Sequence, residues 1–119
     1  MRTLFALTLA GALGVSGLAL AQMSHHGGGK ATTGDTAATK AYRAANDKMH
    51  KAMDLKYTND ADVDFIRGMI PHHQGAIDMA KVALEHGKNE KTRKWATDII
   101  REQEREIGEM QEWLKARKQ

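Results

Sequence analysis

Apolar positions recur at intervals of three and four along three segments of the chain, which is the periodicity of helices that bury one face. The first segment predicts a helix over about residues 39–55, the second over about 61–86, and the third over about 89–116. Gly87 follows the second segment and is predicted to end that helix in the left-handed conformation. No segment has the alternation of a strand, so the sequence predicts an all-α fold with three helices.

The connections between these segments are short, and short loops place consecutive helices side by side in antiparallel directions. Asn59 or Asp60 is predicted to cap the second helix. The tight turn between the second and third helices sets their register and predicts His73 opposite Gln103. The expected architecture is therefore an antiparallel helical bundle over residues 39–117. Either the three helices of one chain suffice, or two chains associate as a homodimer to complete a larger bundle.

Two segments precede the predicted helices. Residues 1–21 carry one early cation, Arg2, followed by an uncharged apolar stretch that ends in Ala-Leu-Ala. This is the layout of a cleaved secretory signal peptide, and the alternative interpretation is an uncleaved membrane anchor. Residues 22–38 are rich in glycine, threonine and alanine, which predicts a flexible tail. We therefore expect a periplasmic or secreted protein without stable membrane association once the signal is removed.

Composition narrows the chemistry that this protein can carry out. The chain has no cysteine, which excludes disulfide bonds and thiolate metal sites. The net charge is only +3, and aromatic residues make up 5% of the chain, so nucleic-acid binding is not expected. Soft metal ligands must therefore come from the 7 methionines and 6 histidines.

Methionine and histidine occur together in three places, often one helical turn apart, where side chains approach to about 5–6 Å. Thioether sulfur suits Cu(I), whereas imidazole accepts Cu(I), Cu(II) and zinc. The pattern therefore predicts a copper ion, Cu(I) in preference to Cu(II), with zinc or silver as alternatives. The candidate metal ligands are Met69, His72, His73 and Met79 on the second helix, Met49, His50 and Met53 on the first, and Met23, His25 and His26 in the tail.

Other interpretations of the same residues stay open. The methionines on apolar faces can simply fill the core, and His73 can hydrogen-bond Gln103 in a metal-free interaction or structural module. A ferritin-like metal oxidase needs Glu-x-x-His pairs on facing helices, which the second helix lacks, so no enzymatic activity is expected. Pro71 removes one helical hydrogen bond beside the histidine pair; the resulting bend either turns His72 toward a neighbouring helix or is only tolerated.

Two segments of the chain resemble a known family. FIRGMIPHHQGAIDMAKVAL (65–84) and IIREQEREIGEMQEWL (99–114) are similar to the signature of a family of small secreted proteins, labelled as a domain of unknown function. That family includes the CopM-type periplasmic copper-binding proteins. The resemblance implies a ferritin-like antiparallel bundle, copper binding in the periplasm and a part in copper tolerance. It implies ligands at Met69, His72, His73, Met79, Met49, His50 and Met53, and adds Met110 on the last helix.

Overall fold

The computed structural model describes residues 33–117, which form three α-helices without a strand. These are α1 (Ala37–Met53), α2 (Ala61–His86) and α3 (Glu90–Arg117). α1 and α3 each pack against α2, and no Cα atom of α1 lies within 8 Å of a Cα atom of α3. The predicted all-α helical bundle is confirmed, with α2 as the helix between the other two.

The N-terminal boundary of the bundle differs slightly from its prediction. α1 begins at Ala37 because Thr36 caps it: the Thr36 hydroxyl accepts a hydrogen bond from the N–H of Thr39 at 3.1 Å. The apolar stripe alone did not reveal this cap. The predicted signal peptide, and the predicted tail as far as residue 32, lie outside the described residues.

The start of α2 is fixed by Asp60. Its carboxylate accepts hydrogen bonds from the N–H groups of Asp62 and Val63 at 3.0 and 3.1 Å, as expected for an N-cap. The Val63 N–H is the largest influence on this carboxylate, and together with the Arg117 guanidinium it lowers the pKa of Asp60. Asn59, just before the cap, has φ of 68°, a conformation that asparagine tolerates better than most residues.

The end of α2 corrects the prediction for Gly87. Its φ and ψ are −78° and 145°, so the left-handed conformation expected there is wrong. The Gly87 N–H donates to the Ala83 carbonyl at 2.9 Å, and a Cβ atom on Gly87 would lie 2.5 Å from that same oxygen. A glycine is therefore required by the close approach of the two backbone segments rather than by its torsion angles.

Small residues dominate the core of the bundle and allow close helix packing. The buried hydrophobic residues are Ala45, Ile77, Ala80, Val82 and Ala96. Between α1 and α2 the side chain of Met49 packs directly over Gly75, where a Cβ atom would overlap the methionine sulfur. Lys48 Nζ of α1 donates to Asp78 Oδ2 of α2 at 2.7 Å beside this contact.

Two arginines of α3 hold the antiparallel register of α2 and α3. Near the turn, Arg93 donates to the carbonyl oxygens of Leu84 and Gly87, which lie at the C-terminal end of α2. At the other end, Arg117 donates to Asp60 Oδ2 at 3.2 Å. α2 remains helical through Pro71. Within residues 33–117, none of the helices is both long and apolar enough to span a membrane.

Candidate metal centre

His73 lies on the face of α2 that packs against α3, where its side chain is only 15% exposed. Its Nε2 atom lies 2.7 Å from Glu106 Oε2. The prediction that Gln103 lies opposite His73 is therefore wrong. The bond goes instead to a residue one helical turn further along the same face of α3. The prediction from the turn gave the correct face but could not separate two positions that lie one turn apart.

The second ring nitrogen of His73 has no partner. Nδ1 is buried and makes no hydrogen bond, and no other buried side-chain nitrogen or oxygen in residues 33–117 is left unpaired. An unpaired buried polar group costs about 1–3 kcal/mol, so such atoms are uncommon in folded proteins. A neutral imidazole nitrogen without a proton is also a common metal ligand.

Two methionines accompany this histidine on the two facing helices. Met69 precedes His73 by one turn on α2, and Met110 follows Glu106 by one turn on α3. Because the helices are antiparallel and His73 faces Glu106, the register places Met69 opposite Met110. Both methionines are partly buried. We refer to Met69, His73, Glu106 and Met110 together as the His73 cluster.

The cluster combines one imidazole with thioether positions rather than several carboxylates. Among residues 33–117, no three histidine, cysteine, aspartate or glutamate side chains come together in a way that would hold a metal ion. Within the cluster, the groups of these types are His73 and Glu106. Thioether sulfur and imidazole nitrogen are a donor set that suits a soft ion such as Cu(I).

The neighbouring histidine has a different environment. His72 is exposed, and its ring centroid lies 6.1 Å from that of His73 with the two planes inclined at 61°. Successive residues of a helix point about 100° apart, so the two rings leave α2 in different directions. The structure thus separates a pair that the sequence presents as one motif.

The other candidate ligands are spread over the surface and the second interface. Met49 packs against Gly75 and lines a pocket of about 300 Å³ that also includes Gln74 and Asp78. On α1, His50 is exposed and Met53 is partly buried. The remaining candidates Met23, His25 and His26 lie outside the described residues.

Met79 lies in a second, almost entirely apolar groove of about 320 Å³ on α2. Tyr42, Trp95 and Ile99 also line this groove, and the last two are 55% and 42% exposed. The apolar periodicity of α3 did not indicate this surface, because Trp95 and Ile99 recur at the spacing that predicts a buried helix face. Glu106 was likewise not predicted as the partner of His73; the available signal was its position one helical turn from Gln103, on the same face of α3.

Fold and site together define a small three-helix bundle in which a partly buried histidine is paired with a carboxylate. Residues 18–114 match the sequence model of a family described as "Domain of unknown function (DUF305)", and the chain belongs to this family. It is similar to "Uncharacterized protein L153" of Acanthamoeba polyphaga mimivirus, with 44% identity over 57 residues. That alignment covers 48% of this chain and 38% of the relative's length. Neither description states an activity.

Proposed function

We propose that this protein binds copper in the periplasm or outside the cell, as its resemblance to the CopM-type proteins implies. It would sequester the ion or pass it to a partner and so contribute to copper tolerance. The ion would be Cu(I) in preference to Cu(II), with silver and zinc as the other candidates. Holding and releasing an ion requires no catalytic step, and we propose no enzymatic activity.

The observation that supports this proposal most strongly is the unpaired Nδ1 atom of His73. A buried nitrogen without a partner destabilises the fold, and binding a metal ion would satisfy it. Met69 and Met110 supply thioether positions one turn away on the two helices, so the donor types at this place fit Cu(I). The His73 cluster is therefore the proposed principal site.

The remaining methionines and histidines would form secondary sites. These weaker sites would hold an ion before it reaches the cluster between α2 and α3. We assign this supporting role to Met49, His50, Met53, His72, Met79, Met23, His25 and His26.

A Cu(I) competition titration against a chromogenic chelator tests the proposal. The decisive variant is His73→Gln, and its matched control is His72→Gln, which removes the adjacent exposed imidazole. We expect His73→Gln to lose at least 10-fold in affinity and His72→Gln to change it by less than 3-fold. Absence of competitive binding by the unaltered protein would contradict the copper proposal. Parallel titrations with Ag(I) and Zn(II) establish the preference among ions.

A second candidate function is a metal-free helical interaction module. It is favoured by the apolar groove on α2, since exposed apolar side chains grouped in one concave surface are typical of a binding site. Sedimentation velocity over a concentration series, with Trp95→Ser as the comparison, would test self-association through that groove. Self-association that depends on Trp95, together with no Cu(I) binding, would favour this candidate over copper.

A further inference from the structure

We infer that Glu106 is a positioning residue that keeps the imidazole proton of His73 on Nε2 and thereby reserves Nδ1 as the atom that binds the metal. The inference rests on the proposed function, because it specifies which atom of His73 the copper site would use. Glu106 itself would not be a ligand.

The chemistry of the two side chains sets the direction of the hydrogen bond between His73 and Glu106. An ionised carboxylate has no proton and can only accept, so His73 Nε2 must be the donor to Glu106 Oε2 at 2.7 Å. In a neutral imidazole the other nitrogen then carries the lone pair. That nitrogen is Nδ1, the buried atom that no side chain or backbone group of residues 33–117 satisfies.

Glu106 contacts a second residue besides His73. Its other oxygen, Oε1, lies 3.4 Å from Nη2 of the Arg105 guanidinium group. One oxygen therefore faces a cation and the other faces the imidazole. With a glutamine at this position the direction of the hydrogen bond would not be fixed, because its amide can present either an acceptor oxygen or a donor NH₂ to Nε2.

The carboxylate of Glu106 and the thioethers of the two methionines favour different metal ions. Carboxylate oxygen is a hard ligand that suits magnesium, calcium and manganese, whereas the thioethers of Met69 and Met110 are soft. Metal-binding histidines usually donate their second ring N–H to a carboxylate, backbone carbonyl or water, which fixes the tautomer and the orientation of the ring. The His73–Glu106 pair has this arrangement, with Nδ1 as the nitrogen left for the ion.

A purely structural role for the pair would connect α2 to α3 without controlling the tautomer, and NMR separates the two possibilities in metal-free protein. Long-range ¹H–¹⁵N correlation spectra distinguish protonated from unprotonated ring nitrogens. We expect the unaltered protein to carry the His73 proton on Nε2, and Glu106→Gln to give a mixture of both tautomers. The matched control is Glu109→Gln, because Glu109 also pairs with Arg105 but does not contact His73. We expect it to leave the tautomer unchanged.

The inference is overturned if the unaltered protein carries the proton on Nδ1, or if Glu106→Gln and Glu106→Ala both leave the tautomer as it was. A Cu(I) titration of the same variants gives the second readout. Loss of a residue that orients a metal-binding histidine typically costs about 10–100-fold in affinity, and we expect a loss in that range for Glu106→Gln but not for Glu109→Gln.

The tautomer measurement and the Cu(I) titration distinguish failure of the positioning role from failure of the copper proposal. If Cu(I) binds tightly but the tautomer does not depend on Glu106, the copper proposal stands and the positioning role is wrong. If the tautomer depends on Glu106 but neither the unaltered protein nor any variant binds Cu(I), the proposed function is wrong while the control of the proton by Glu106 is confirmed.

Discussion

α2 has two interfaces, and they use methionine differently. Toward α1, the sulfur of Met49 occupies the space that Gly75 leaves by having no side chain. Toward α3, Met69 and Met110 lie one helical turn from the His73–Glu106 pair, in which the Nδ1 atom of His73 is buried without a partner. Met49 therefore has a packing role at the first interface, whereas the second interface contains a polar atom that packing leaves unsatisfied. The same residue type therefore fills space at one interface and belongs to the proposed principal metal site at the other.

The largest expected effect comes from replacing the methionines at each interface of α2 with leucine, which conserves volume but removes sulfur. We expect Met69→Leu with Met110→Leu to reduce Cu(I) affinity by more than about 100-fold, since losing ligands costs more than losing residues that only orient them. Met49→Leu, as the control at the other interface, should change affinity by less than about 3-fold. Competition titration measures both. Equal losses in the two proteins would show that the interfaces do not differ in this way.

The second prediction concerns the closely packed interface. Gly75→Ala should lower the free energy of unfolding by about 1–3 kcal/mol, because the new Cβ atom overlaps Met49 from its sulfur back to its own Cβ. Gly68→Ala is the control on the same helix: a Cβ atom there meets nothing within 4 Å, so the change should stabilise the protein by about 0.5–1 kcal/mol. Urea denaturation followed by circular dichroism gives both values. A stabilising effect at both positions would contradict the packing role of Gly75.

The third prediction concerns the cost of keeping Nδ1 unpaired. His73→Leu should raise the free energy of unfolding by about 0.5–1 kcal/mol, since it removes a buried polar atom without a partner and Glu106 keeps access to water. The same substitution should abolish high-affinity copper binding. Thermal denaturation without metal, compared with His72→Leu at the exposed position, provides the measurement. A marked loss of stability in His73→Leu would show that the His73–Glu106 bond contributes more than the unpaired atom costs.

The smallest expected effect is the pH dependence of the α1–α2 interface. Burial raises the pKa of Asp78, but hydrogen bonds from Lys48 and Gln74 outweigh it, so the pKa lies below its usual value of 3.8. A lowered pKa means that the contribution to stability is present above 3.8 and is lost as the pH falls through the lower value. Asp78→Asn should therefore be less stable than the unaltered protein at neutral pH, with the difference shrinking in acid. Denaturation curves from neutral pH into strong acid would show a constant difference if Asp78 were not responsible.

The sequence predicted the helices well because their signals are local. Asp60 as a cap and the apolar periodicity of α2 give its bounds without reference to the rest of the fold. Gly87 was harder, since its extended torsion angles depend on how the chain approaches Ala83. The sequence indicated a glycine at the helix end, but the structure requires it because of a close backbone contact and not because of a left-handed torsion angle.

The candidate site was only partly predictable, because its central contacts depend on how two helices are rotated against each other. His73 was identified as the residue that faces α3, but its partner Glu106 lies one turn from the expected Gln103. The exposed position of Trp95 could not be predicted from the sequence either. It depends on α1 and α3 staying apart, and the sequence pattern of one helix does not contain that information.

The two arginines at opposite ends of α3 together fix the axial position of α3 along α2. Moving one helix by a single turn would shift it by about 5.4 Å and break the contacts of Arg93 with Leu84 and of Arg117 with Asp60 at once. Such a slip is also the movement that would bring Gln103 to His73 in place of Glu106. Residues far from the His73 cluster therefore determine which side chain meets the imidazole.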